Sequence, residues 1–458
     1  MFEKMLEWIK NTILRLMGQQ STDLTISPKM SSLIRLWADL YGGKGADQPL
    51  RLPASIAAEF ARLVVVESEI SVTGSGRGDW LMEQLLPFLS RLREYVEYGC
   101  ALGGEVFKPY VSGDKLLVDV VQADCFFPTA FDSSGRMTGA VFTQQIVREN
   151  RIFTRAESHV YQNGSEVIQN KAFSSTSSAS LGGEIPLTSV PEWADISPEA
   201  TISDIDRPLF AYFRIPLANN KDRHSPLGIS VFANAVKVME DANQQYQRLM
   251  WEYNGGQLAI DVSAGAIRKG KDGNYHMDQR EQRLYRRVLE PAVLENGFYH
   301  AFTPQLRDSS YLAGLDSILK KVEFQSHLAF GTFSDPNSTE KTATEIRASR
   351  QRSYSAVSDI QRALQSALDD LVYSMDKLAS LYQLAPPGEY KTSYNWHDGV
   401  LQDEETQRTF DREDVLSGFL PKWQYNVKWR GMSEEEAKAA VREAQEEAGA
   451  TALRFGEL

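Results

Sequence analysis

The sequence predicts a helix-rich α+β chain, and three observations carry that reading. A block from Gly104 to about Phe173 is built of β-rich segments separated by turn residues, with helical periodicity on either side. An unbroken apolar seam runs from Ile360 to Tyr382. Between these regions, two helical stretches flank a short mixed segment, 257–307.

The elements follow in order. In MFEKMLEWIKNTILRLMG, Phe2, Met5, Leu6, Ile9, Ile13 and Leu16 fall at helical spacing. Glu3, Lys4, Glu7, Lys10 and Arg15 interrupt them, so a packed amphipathic helix is expected, not a signal peptide or a membrane-surface helix. Ser27-Pro28 starts a helix to about Tyr41, and Pro53 starts another through SIAAEFARLVVVE. Gly74 to Gly78 reads as a turn-rich break, after which Asp79 caps a helix reaching Tyr98, with Pro87 as a kink. GEVFKPYV, KLLVDVVQ, GAVFTQQIVRE, RIFTRAESHVYQ and SEVIQNKAF then read as one antiparallel meander. Asn163-Gly164 makes the last hairpin, since both residues tolerate positive φ. SSTSSASLGG, Ser174 to Gly183, reads as a flexible surface connection.

After Pro226 a helix of about 28 residues is expected, its stripe running from Ile229 and Phe232 to Leu249 and Tyr253, with Gly255-Gly256 ending it. A second helix spans about Ser309 to Leu328, and AFGTFSDPNSTEK breaks the pattern through Gly331 and Pro336. From Thr342 the chain reads as one helix to Tyr382, stopped by Pro386-Pro387-Gly388. Its seam is Ile360, Leu364, Leu368, Leu371, Met375, Leu378 and Tyr382. At ~1.5 Å per residue such a rod is about 60 Å long, more than a compact domain requires, and it suits an elongated or oligomeric assembly. One β-like segment, EYKTSYNWHDGV, and charged helical stretches close the chain.

Composition bounds the function. The 458 residues suggest two to four structural units, and a hydrophobic fraction of 42% with 10% aromatics is enough to bury cores. A net charge of -12 argues against general nucleic-acid binding by the whole surface. Cys100 and Cys125 form no CxxC pair, which argues against a disulfide framework and a Cys-based zinc site and fits a reducing cytoplasm. No apolar run approaches the roughly 20 residues a bilayer requires, so no membrane partner is expected.

Signatures of catalysis are missing. His159, His224, His276, His300, His327 and His397 show no HExxH spacing, and no GxSxG elbow nominates a nucleophile. GSGRGD, Gly74 to Asp79, fits neither GxGxxG nor the Walker pattern, and its Arg-Gly-Asp triplet is a chance match to an adhesion motif. Lys341-Thr342 lacks the upstream glycines of a Walker loop. Asp369-Asp370 and Glu404-Glu405 are adjacent on helices, where side chains diverge by about 100°, so they read as solvated faces and not as metal ligands. No cofactor is expected, and the chain reads as a structural component, not an enzyme. Arg268, Lys269, Lys271, Arg280, Arg283, Arg286, Arg287 and Arg307 concentrate in the mixed segment, a small local excess of positive charge.

In its order of segments the chain resembles the portal proteins of tailed bacteriophages, in particular siphophages of Gram-positive hosts. The resemblance rests on GGEVFKPYV (Gly103 to Val111), DCFFP (Asp124 to Pro128), TRAESH (Thr154 to His159), LFAYFRIP (Leu209 to Pro216), SPLGIS (Ser225 to Ser230), KTATEI (Lys341 to Ile346) and the late NWHDG and VKWRGMS. None is a catalytic signature; their shared order over nearly the whole chain carries the likeness.

The resemblance implies a portal fold with wing, stem, clip and crown regions in a ring that is usually twelve-fold. Residues 1–225 would be the N-terminal wing, 226–256 and 308–328 the paired stem helices, and 257–307 the clip. Residues 329–341 would be a tunnel loop, 342–385 the long helix above it, 386–401 a wing strand and 402–458 a small crown. It further implies a virion protein at one capsid vertex, made in the host cytoplasm, through which double-stranded DNA passes. The implied partners are the large terminase subunit, major capsid and scaffolding proteins and head-completion proteins. The channel residues would be Gly331, Thr332, Phe333, Ser334, Asp335, Asn337, Ser338 and Thr339, with Lys320 and Lys321 forming a weak positive ring. The partner-facing clip would use Arg268, Lys269, Lys271, Arg280, Arg283, Arg286 and Arg287. The competing reading is an enzyme of the packaging machine, a terminase ATPase or nuclease, and the missing Walker and metal motifs weigh against it.

Overall fold

The computed structural model describes residues 27–44, 48–66, 68–177, 180–256, 259–263, 285–289, 299–302, 305–335, 343–396 and 404–455. The helix expected within residues 2–16 lies outside them. The chain divides into two compact units, Met1–Asn395 and Trp396–Leu458.

The larger unit opens with α1 (Pro28–Gly42) and α2 (Leu52–Val65). Ser27 caps α1 by accepting from the Met30 amide, and its hydroxyl donates to Asp222, far along the chain. Strand β1 (Ser68–Thr73) leads to α3 (Gly76–Leu89) and α4 (Leu92–Leu102). Two expectations change here. Gly74 to Asp79 is not a free turn: Ser75 caps α3 through the Arg77 and Gly78 amides, so the triplet is the first helical turn. And the helix expected from Asp79 to Tyr98 is two helices, the first ending two residues beyond Pro87.

Arg77 is fully buried, which excludes its triplet from any exposed adhesion role. Its guanidinium binds the Asp376 carboxylate at 2.8 Å, the Asp376 and Ala385 carbonyls at 2.6 and 2.8 Å, and the Ser380 hydroxyl at 2.6 Å. A planar, multi-donor cation is what a buried helix end needs to satisfy its carbonyls.

The strands follow as β2 (Gly104–Ser112), β3 (Lys115–Gln122), β4 (Phe126–Phe131), β5 (Met137–Arg148), β6 (Arg151–Gln162), β7 (Ser165–Ser175), β8 (Gly183–Ile185), β9 (Glu199–Ser203) and β10 (Ala211–Arg214). Asn163 and Gly164 make the β6–β7 turn with φ of 54° and 77°, as the dipeptide predicts. The single meander, however, is two sheets. β10, β2 and β3 form one antiparallel sheet, and β4 to β8, with β9 also on β7, form another. The split was hidden because β10 pairs with β2 from about a hundred residues away.

Glycine explains a further correction. The helix expected from Pro226 begins only at Val236, as α5 (Val236–Gly255). Before it, Gly228 passes against Gly103 so closely that a Cβ on Gly228 would sit 2.1 Å from the Gly103 carbonyl oxygen. The Val231 amide then donates to the Cys100 carbonyl at 3.0 Å. Ile229, Val231 and Phe232 are therefore buried as core plugs and are not a helical stripe.

Beyond α5 come β11 (Ala259–Ser263), β12 (Tyr285–Leu289), β13 (Tyr299–Phe302), α6 (Asp308–Gln325), α7 (Ala343–Leu381) and β14 (Lys391–Trp396), which pairs with β1. The 39 residues of α7 run about 58 Å at ~1.5 Å each. Ile360, Leu364, Leu368, Leu371, Met375 and Leu378 are all buried, packed over β2, β10 and α2. The helix ends before the predicted prolines. Gln383 turns left-handed (φ 54°), and the Leu384 amide reaches back to the Ala379 carbonyl.

The two sheets are joined by buried charge. Both ring nitrogens of His159 face carboxylates, Glu166 at 2.7 Å and Glu157 at 2.9 Å, an arrangement that favours the imidazolium, in which both nitrogens donate. Glu157 also binds Lys108 of β2 and Arg155, while Glu166 accepts from the Leu209 amide. Burial works against charge at both groups. The cations around Glu157 nevertheless hold its carboxyl well below the usual range, and the two carboxylates raise His159 above an ordinary histidine.

The smaller unit packs α8 (Glu404–Ser417), α9 (Lys422–Arg430) and α10 (Glu434–Phe455). Asp411 ties α8 to α9 through Lys428 and the Trp429 indole N–H, at 2.6 and 2.7 Å. Ser433 and Glu436 cap the start of α10 reciprocally.

The His159 arrangement gives a pH dependence. Because the folded pKa is raised, its stabilisation is complete below the unfolded value of about 6.5 and is lost as pH rises through the folded value. Urea unfolding across pH 6 to 9 should show stability falling with pH, and His159→Gln should flatten that slope. An equal slope in the variant would mean that His159 is not the titrating link.

Candidate functional site

Helices α5 and α6 lie side by side, with Met239, Ala242 and Leu249 of one and Leu315 and Val322 of the other buried. Gly314 lets Gln245 cross close enough for its amide to reach the Tyr311 carbonyl at 3.2 Å. At the far end Glu252 accepts three hydrogen bonds from Arg307, from its amide and Nε at 3.1 Å and from Nη2 at 2.8 Å. Arg307, counted in the basic concentration, is thus engaged in holding the ends of the helix pair together.

Between those ends lies a three-stranded sheet, β12-β11-β13, with β12 parallel and β13 antiparallel to the central β11. The β11–β12 register shifts by one residue, leaving Arg286 as the extra residue of a bulge and Arg287 opposite Asp261. Arg268, Lys269, Lys271, Arg280 and Arg283 lie outside the described residues.

The turn from α6 towards α7 is the most tightly built part of the region. Gly331 and Pro336 do not end α6; His327 does, five residues after Val322 and with φ of 60°. The Leu328 amide donates to the Glu323 carbonyl and the His327 amide to the Phe324 carbonyl, a Schellman closure that sequence patterns assign to glycine. The fully buried Glu323 carboxylate then accepts from the Phe333 and Ser334 amides at 2.6 and 2.8 Å, the Ser334 hydroxyl at 2.8 Å and the Gly331 amide at 3.3 Å. Asp316 accepts from the Asp335 amide at 2.7 Å and pairs with Lys320 at 2.8 Å. Arg352 of α7 lies over Phe324 and Phe330, with 4.5 and 5.6 Å to the ring centroids.

Of the residues expected at a channel wall, Ser334 is therefore turned inward, and Gly331, Thr332 and Phe333 are half-buried. Asp335 and Lys321 are exposed, while Lys320 is paired with Asp316. Asn337, Ser338 and Thr339 lie outside the described residues. Sequence reasoning missed Glu323, whose one signal was a carboxylate beside Val322 on the side of the helix that should be apolar.

Among the described residues Asp369 and Asp370 form no catalytic constellation, and the side chains of Glu404 and Glu405 lie outside those described. Asp369 accepts from the Thr392 and Tyr394 hydroxyls at 2.7 Å, and Asp370 is held by Arg207 and Arg136. Among the described residues no three His, Cys, Asp or Glu side chains are grouped to hold a metal, and no helix is long and apolar enough to cross a membrane.

Residues 87–450 match the family model described as "Phage portal protein, SPP1 Gp6-like". The chain belongs to that portal family. That family is one of phage portal proteins, structural components of the virion. No curated protein matches the chain. Among solved structures it is similar to a chain of "Neck of native GTA particle computed with C12 symmetry", at 11% identity and a TM-score of 0.39, over 90% of this chain and 97% of that one.

Proposed function

We propose that this portal-family chain is one subunit of a closed ring, twelve-fold in its virion, that conducts double-stranded DNA into and out of a capsid. The ring sits at one vertex of a siphophage-type particle of a Gram-positive host and is built in the host cytoplasm with major capsid and scaffolding proteins. The large terminase subunit docks during packaging, and head-completion proteins take its place afterwards. The observation that carries the reading is the portal match over 87–450, on a chain whose paired helices flank a small sheet and lead through an anchored turn to a 39-residue helix.

In this reading α5 and α6 are the stem, 257–307 the clip, 329–341 the tunnel loop, 402–458 the crown, and the remainder the wing. The net charge of -12 supports a conduit that does not grip, because Lys and Arg contacts to phosphate would add salt-dependent affinity and resist sliding. ATP hydrolysis then belongs to the terminase, not to this chain.

Removing 336–339 tests the loop assignment while leaving the partners of Glu323 in place. Rings should still assemble, and particles carrying the shortened loop should package less DNA or lose it after packaging. Full-length packaging with normal retention would remove the loop from the channel wall.

The clip assignment makes a separate prediction. Charge reversal at Arg283, Arg286 and Arg287 should leave the ring intact and weaken terminase docking in pull-down. In the unaltered protein docking should weaken with salt, since exposed charges are screened over about 8 Å at physiological ionic strength. Normal docking by the triple variant would move the terminase face elsewhere.

A further inference from the structure

We propose that Glu323, assisted by Asp316, is the positioning residue that leads the α6–α7 connection back along α6 and so fixes the level at which it departs. The inference deepens the tunnel-loop reading and, for its functional consequence, rests on it.

A carboxylate with no solvent exposure must be compensated, and no cation does so at Glu323 in the described structure. Its compensation is the consecutive backbone N–H groups of Phe333 and Ser334, with the Ser334 hydroxyl and, more distantly, the Gly331 amide, which Ser334 Oγ also accepts. Such charge-assisted bonds are short and strong, and here two lie at or below 2.8 Å from backbone alone. The dependence is mutual. Ser334 is itself buried, so without Glu323 its amide would lose its partner in a site with little access to water.

The geometry also has a direction. Glu323 lies two residues before the end of α6 and Asp316 seven residues earlier, about 10 Å back along the axis at ~1.5 Å per residue. Glu323 binds residues 331, 333 and 334, and Asp316 binds residue 335. The connection therefore runs back along α6 after the Schellman turn, and Asp335 stands level with Asp316 and Lys320. The same Glu323 also supplies the carbonyl that closes that turn, through the Leu328 amide. One residue both ends the helix and anchors the connection beyond it. In a ring, twelve such anchors would set one common height for the loops.

Hydrogen–deuterium exchange on the assembled full-length protein tests the anchor directly. Glu323→Gln keeps the shape but puts an NH2 donor against these amides, and those of Phe333 and Ser334 should exchange at least tenfold faster while those of 357–379 stay unchanged. Asp316→Ala should accelerate Asp335 alone, and Asp316→Asn, which retains an acceptor, should restore it. That pair stands in if the Glu323 variant does not assemble. Unchanged exchange at Phe333 and Ser334 for Glu323→Gln, or at Asp335 for Asp316→Ala, overturns the proposal whatever DNA does. Particles built with Glu323→Gln should retain less DNA. Accelerated exchange with normal retention would keep the anchor and count instead against the tunnel-loop reading.

Discussion

The larger unit depends on the buried face of one helix. Side chains from Val357 to Ala379 on α7 are shut away from water against strands and helices drawn from the first half of the chain. Apolar burial of this kind is the dominant favourable contribution to folding, and here it is spread along a rod, not gathered in a globule. Arg77 fastens the end of the rod by satisfying carbonyls of its last turns and of the chain beyond, which ties α3 to a segment about three hundred residues away. Breaking a buried charge pair of this type costs about 3–5 kcal/mol, comparable to much of a domain's net stability.

How much of this was legible depended on whether the cause was local. Ser27-Pro28, the alternating strands and Asn163-Gly164 act within a few residues, and each produced the expected element. The start of α5 did not follow, because Ile229 and Phe232 have helical spacing but are held by the crossing of Gly103 and Gly228, a tertiary contact. The helix ends at His327 and Gln383 were hidden for a related reason: neither stands in a turn dipeptide such as Asn163-Gly164, and packing selects their left-handed backbone. At the candidate site the order helix, mixed segment, helix, break, long helix was readable. That Ser334 turns inward to Glu323 was not, since short polar residues look the same on a surface and in an anion nest.

The charges show a consistent logic. Lys320 is paired with Asp316, Arg307 with Glu252, Lys108 with Glu157 and Arg207 with Asp370. These four cations are engaged by carboxylates of their own chain. Under the proposed conduit role, internal pairing and a net negative chain would serve the same end: DNA surrounded without being bound.

The central claim is a closed ring, and the mass of the assembly tests it most directly. Native mass spectrometry of the full-length protein, with class averages from electron microscopy, should give one closed oligomer of twelve or thirteen copies around a central channel. A chain that stays monomeric across protein concentrations and salts would contradict the account.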